Sequence, residues 1–165
     1  MMIEDLEKYG TNDLRREPFK MNGNRFIKEN ALHLSWVVAL VATLGSLYFS
    51  EILHFLPCKL CWYQRILMYP LVIILAIAAV RKDTKQYLYV LPLSVWGMGI
   101  SLYHYLMQKT SWFKEAATGC GPVPCDVDYI NWLGFITIPF LALIAFTLIT
   151  ILHLLLLAVE RQNSR

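Results

Sequence analysis

Residues 57–80 read PCKLCWYQRILMYPLVIILAIAAV. The uninterrupted apolar part, Ile66 to Val80, is 15 residues long. A helix needs about 20 to cross a bilayer. The segment reaches that length only by starting near Leu60, and so by taking in Gln64 and Arg65. An ionisable side chain inside a span is costly and marks a functional site by default. Snorkelling of the guanidinium to the headgroups is the competing account this close to a helix end.

Three further apolar runs flank this one. Ala31 to Ser50 has no acid or base apart from His33, and Tyr87 to Met107 has only His104. Ile130 to Val159 is 30 residues long with only His153 ionisable. That exceeds one span, so its start is expected along the interface, with the helix beginning near Trp132 to Phe135. Sustained period-2 alternation is absent, which points to helices. The expected fold is therefore all-α: an integral membrane four-helix bundle with two outward-facing cysteine-containing loops. Its parts are a cytoplasmic tail over 1–30, a transmembrane domain over 31–159 and a short cytoplasmic tail over 160–165.

Charge fits this division. Of 15 basic and 12 acidic residues, six of each lie in the first 30 positions. Charges of both signs there exclude a secretory signal. A net charge of +3 gives no ground for nucleic-acid binding. With the N-terminus inside, the inner side holds eleven basic residues: six in the tail, then Arg81, Lys82, Lys85, Arg161 and Arg165. The outer side holds Lys59, Arg65, Lys109 and Lys114. The bias places both termini in the cytoplasm. Trp62, Trp112 and Trp132 fall where the outer loops meet the membrane, as an aromatic belt would.

The four cysteines form two close pairs, Cys58/Cys61 and Cys120/Cys125. Charge alone puts both on the outer face, where disulfides persist. A Cys-x-x-Cys ring is too small to stabilise much by restricting the unfolded chain, so redox chemistry is the better account. Four thiolates converging on zinc is a weaker alternative on an oxidising face, and no metal is expected. A pair flanked by Gly121, Pro122 and Pro124 is equally compatible with a static staple. Pro57 keeps the chain extended before Cys58. Cys61 then falls in the first turn of the second span, where a helix N-terminus favours a thiolate. Cys61 is therefore the candidate for reaction with an acceptor at the membrane surface. Arg65 follows one turn later on the same face, placed to stabilise a thiolate and polarise a quinone carbonyl. His104 lies at matching depth on the third span. His33, His54 and His153 have no identifiable partner.

These residues resemble the DsbB-type disulfide bond formation family, and most nearly its shorter Gram-positive, BdbC-like branch. The stretches that carry the resemblance are Pro57–Arg65 continuing through Leu67–Pro70, Tyr103–Leu106, and the Cys120/Cys125 loop running into Asn131–Phe135. The resemblance implies a thiol–quinone oxidoreductase of the bacterial cell membrane. A thioredoxin-like partner outside the membrane would be reoxidised by the Cys120–Cys125 disulfide, with Cys120 forming the mixed disulfide. Electrons would pass to Cys58–Cys61, and Cys61 would react with a quinone, menaquinone in a Gram-positive host, assisted by Arg65 and His104. The tight Cys120/Cys125 spacing departs from the family pattern and argues against long-range loop rearrangement. Two other readings are a non-enzymatic membrane protein with stapled outer loops and a vitamin K epoxide reductase-like enzyme. A staple has no use for Arg65, and the latter would carry its Cys-x-x-Cys on a late span.

Overall fold

The structure, a computed structural model, describes residues 23–83, 85–110, 123–125 and 135–163. Four long helices account for most of these: α1 (Gly23–Leu47), α2 (Lys59–Arg81), α3 (Tyr87–Lys109) and α4 (Ile138–Asn163). α1 continues through a π-helical turn, Tyr48–Ile52.

Asn30–Ile52, α2 and Ile138–Gln162 are each long and apolar enough to cross a membrane. α3 has the same 23-residue length as α2 and no acid or base before His104, but its Tyr, Ser, Gly and Trp residues lower its hydropathy. At about 1.5 Å per residue it spans roughly 35 Å. α1 packs on α2 and α4, and α3 packs on the same two neighbours. The four therefore form a bundle in which chain order is also order around the ring.

The helix ends follow local chemistry. α2 stops where Lys82 adopts a left-handed conformation (φ 53°), its N–H bonded to the Ala78 carbonyl. Pro70 in α2 and Pro92 in α3 lie inside helices, which neighbouring helices make tolerable in a membrane bundle. α4 begins at Ile138, one turn later than expected. Pro139 occupies its first turn, where a missing N–H costs nothing, and the Thr137 carbonyl accepts the Leu141 N–H at 3.1 Å. α1 extends back to Gly23, so charged residues stand in a helix that continues beyond the apolar run.

The central core joins Ala39, Met68, Leu71, Leu75, Val90, Ala145, Phe146 and Ile149. α3 and α4 meet closely at Gly97, where a Cβ would run into the Phe146 ring. Some polar side chains in this interior are paired: Thr150 Oγ1 of α4 donates to Ser94 Oγ of α3 at 3.0 Å, and Ser35 Oγ to the Ala31 carbonyl at 2.7 Å.

Candidate functional site

The site is built at the end of the bundle where α2 begins. Pro57 leads into Cys58, whose extended backbone (φ −72°, ψ 172°) makes it the N-cap of α2. Its sulfur accepts the Cys61 N–H at 3.4 Å, the role that Ser or Asp oxygen usually fills. The Cys58 and Cys61 sulfurs share a hydrogen bond at 3.0 Å, and both are free thiols.

The two sulfurs face different surroundings. Cys58 is 5% exposed and packs with Met107 and Cys125, bordered by Leu60 and Val123. Cys61 is half-buried and stands in the wall of a cavity of about 490 Å³ between α1, α2 and α4. Neither Cys58 nor His104 belongs to that wall.

His104, from α3, is 1% exposed. Its Nε2 lies 3.6 Å from Cys58 Sγ and 3.1 Å from the Cys125 carbonyl oxygen. Its Nδ1 lies 3.3 Å from Gln64 Nε2. A carbonyl oxygen only accepts, so Nε2 carries the proton. Cys58 thus gathers an S–H, a ring N–H and a backbone N–H. The Cys61 thiol above all, then His104, lowers its pKa from 9.0 to about 4, against the opposing effect of burial. Cys61 stands in the first turn of α2 as expected, and Cys58, at the N-cap, also accepts a backbone N–H of that helix terminus.

Cys58, Cys61 and His104 offer two sulfurs and a ring nitrogen within 4.8 Å of one another. The geometry does not suit zinc. Zn–S bonds of about 2.3 Å in a tetrahedron set sulfurs roughly 3.8 Å apart, and Nε2 is committed as a donor.

Arg65 is turned to α1. Its Nε donates to Ser46 Oγ at 2.9 Å and its Nη2 to the Ser46 carbonyl at 3.1 Å. Its guanidinium carbon stands 5.7 Å from the Trp62 ring centroid. Arg65, Ser46, Gln64 and Tyr69 line the cavity beside Cys61; the remaining wall is apolar, including Val41, Met68, Leu141 and Phe146. The Tyr69 hydroxyl is buried with no hydrogen-bond partner.

Cys125 is disulfide-bonded, and the free state of Cys58 and Cys61 means that its bond is not to either of them. Cys120, Gly119, Gly121, Trp112 and Trp132 lie outside the described residues. His33 is exposed, whereas His153 is buried and hydrogen-bonds the Ile149 carbonyl at 2.9 Å. Ser46 and Gln64 acquire partners that sequence reasoning did not assign. Gln64 had one signal: it is an uncharged polar residue that the second span must include.

A helical membrane bundle with a free Cys-x-x-Cys beside an apolar cavity, and a disulfide-bonded cysteine packed against its first sulfur, defines a membrane thiol–disulfide oxidoreductase. The family model described as "Disulfide bond formation protein DsbB" matches residues 28–156. The chain is 62% identical over 125 residues to disulfide bond formation protein C of Bacillus subtilis, covering 76% of this chain and 91% of that protein. It is 56% identical over 129 residues to probable disulfide formation protein C of Halalkalibacterium halodurans, covering 78% and 94%. It is 45% identical over 124 residues to a probable disulfide formation protein of Coxiella burnetii, covering 74% and 84%. No solved structure matches the chain. The chain belongs to the DsbB disulfide bond formation family, a membrane four-helix family whose role is oxidative. Membership does not favour a merely stapled, non-enzymatic protein.

Proposed function

We propose that this chain oxidises the dithiol of a thioredoxin-like partner on the extracytoplasmic side and passes the electrons to a membrane quinone, menaquinone in a Gram-positive host. Both termini lie in the cytoplasm, in keeping with the eleven-to-four division of basic residues. The observation that carries the proposal is the opposed placement of two touching sulfurs. Cys58 packs against Cys125, and Cys61, 3.0 Å away, borders the cavity.

In the proposed route Cys120–Cys125 takes two electrons from the partner dithiol and becomes a dithiol. A loop thiolate then attacks Cys58 Sγ of the oxidised Cys58–Cys61 pair. The Cys58–Cys61 bond breaks and Cys61 leaves as a thiolate. The second loop thiolate breaks the resulting mixed disulfide, Cys58 leaves as a thiolate, and the loop disulfide is restored. Two electrons now reside on Cys58 and Cys61.

The cavity fits a quinone. Its volume lies within the usual range of ligand pockets, and its wall is apolar apart from a few convergent polar groups. Val41, Leu141, Ile144 and Leu148 are wall residues that are also exposed on the bundle surface, giving an isoprenoid tail access from lipid. A bound quinone supplies a two-electron, two-proton sink. Arg65, held by Ser46 in the cavity wall, would present positive charge to a quinone carbonyl. Cys61 is the sulfur beside that position, and Cys58 is poised to re-form the disulfide with it.

The test is quinone reduction by purified protein supplied with a reduced thioredoxin-like dithiol. Turnover is expected in the wild type and not in Cys61→Ser. Unchanged turnover in Cys61→Ser would sink the route.

A further inference from the structure

We propose that Gln64 is a positioning residue for the exchange between the two cysteine pairs: its side-chain amide fixes the His104 ring with the proton on Nε2, so that one N–H serves both Cys58 and the Cys125 backbone. Three polar contacts meet on this ring. Nε2 is 3.1 Å from a carbonyl that can only accept, and 3.6 Å from Cys58 Sγ. A neutral ring protonated on Nε2 has a bare Nδ1, which needs a donor when buried. The Gln64 amide nitrogen stands 3.3 Å from it. Gln64 is itself only 6% exposed, so water does not readily replace it.

Without that donor the Nε2–H tautomer keeps the Cys125 carbonyl as its acceptor but loses the partner of its bare Nδ1. In the other tautomer, Nε2 turns a lone pair toward the Cys125 carbonyl and toward a Cys58 thiolate, and both contacts become repulsive. The titratable groups facing the ring among the described residues are Cys58 and Cys61 from the start of α2. Gln64 and the Cys125 carbonyl are its neutral neighbours. Arg65 is engaged by Ser46 on α1. Gln64 therefore acts on Cys58 through the ring, with its amide bonded to Nδ1. It sits between two functions, because its side chain also borders the cavity.

The role rests on the proposed relay only in giving Cys58 the exchange with the loop pair. Its test needs neither quinone nor partner, so the two stand or fall separately. Full-length protein labelled with ¹⁵N-histidine is reduced at Cys58–Cys61 and studied in detergent. The ring signal of His104, assigned by its loss in His104→Gln, is expected to report the Nε2–H tautomer in the wild type. In Gln64→Leu the share of the Nδ1–H tautomer rises measurably. The pH midpoint for iodoacetamide alkylation of Cys58, read by mass spectrometry, rises by about one unit, a tenfold loss of thiolate below it, as one lost hydrogen bond predicts. An Nδ1–H ring in the wild type overturns the proposal without any substitution at Gln64. So does Gln64→Leu with ring signal and midpoint both unchanged, which would leave Gln64 a packing residue.

Discussion

Arg65 reaches from α2 to α1 and holds Ser46 twice, through the hydroxyl at 2.9 Å and the carbonyl at 3.1 Å. The guanidinium is thus fixed at the cavity wall by the neighbouring helix, and snorkelling alone does not explain its place. The Ser46 carbonyl belongs to the last turn of α1, just before the π-helical turn. Ser50 Oγ lies 3.3 Å from the same carbonyl, so Arg65 adds a donor from a second helix to an acceptor on α1.

Ser46→Ala should leave the carbonyl contact and remove the hydroxyl one. The lost bond is worth about 1 kcal/mol, so the apparent quinone KM should rise roughly fivefold with little change in kcat. Arg65→Ala should raise it further. The double variant should resemble Arg65→Ala, because the two residues act as one unit. Steady-state kinetics with quinone varied and the dithiol saturating checks this; additive effects would separate the two residues.

Tyr69 brings a buried, unpartnered hydroxyl to a residue of the cavity wall. If a ligand oxygen satisfies it, Tyr69→Phe raises the quinone KM by about three- to tenfold while the fold is unaffected. An unchanged KM would assign Tyr69 to packing alone.

The acidity of Cys58 has a defined sign. Its pKa falls from 9.0 to about 4 in the folded protein, so the sulfur is ionised across neutral pH. In the reduced protein the linked stabilisation is fully present above the unfolded value and is lost as pH falls through the folded one. Alkylation of Cys58 should therefore be nearly flat from about pH 8 to about pH 6, and should decline only toward pH 4. Because the Cys61 thiol is the largest cause and His104 the next, Cys61→Ala should raise the midpoint more than His104→Gln does. The reverse order would contradict the hydrogen-bond assignment.

Gly97 lies against the Phe146 ring, with no room for a methyl group. Gly97→Ala should cost about 1–3 kcal/mol by overpacking and lower the thermal midpoint in detergent. Phe146→Leu in the same chain should recover part of the loss. A Gly97→Ala protein as stable as the wild type would show that α3 and α4 can separate freely.

Much of this architecture was legible because apolar length and charge placement are one-dimensional signals. The second span was expected from Leu60 to Val80 and the helix is Lys59–Arg81; the third was expected from Tyr87 to Met107 and runs Tyr87–Lys109. The start of α4 was misplaced because hydropathy does not register the first-turn preference of Pro139. The start of α1 differs because a charged segment ends an apolar run without ending a helix. Within the site, the Cys-x-x-Cys and the arginine one turn on could be found by spacing. What spacing could not give was which sulfur caps α2, or that His104 faces Cys58 and Cys125 and stands apart from the cavity wall. Those relations depend on how α2 and α3 are rotated against each other. The partners Ser46 and Gln64 were hidden for the same reason: each is defined by a contact with another helix.

The opposed placement of Cys58 and Cys61 also insulates the proposed circuit. A folded soluble dithiol from outside is too bulky to reach a Cys58 sulfur covered by Met107 and Cys125, while Cys61 borders an apolar chamber on the other side. Short-circuiting is thereby suppressed at both terminals. Current can flow only when a loop thiolate touches Cys58 on one side and a lipid-soluble acceptor occupies the chamber on the other, a junction barely one sulfur–sulfur contact thick.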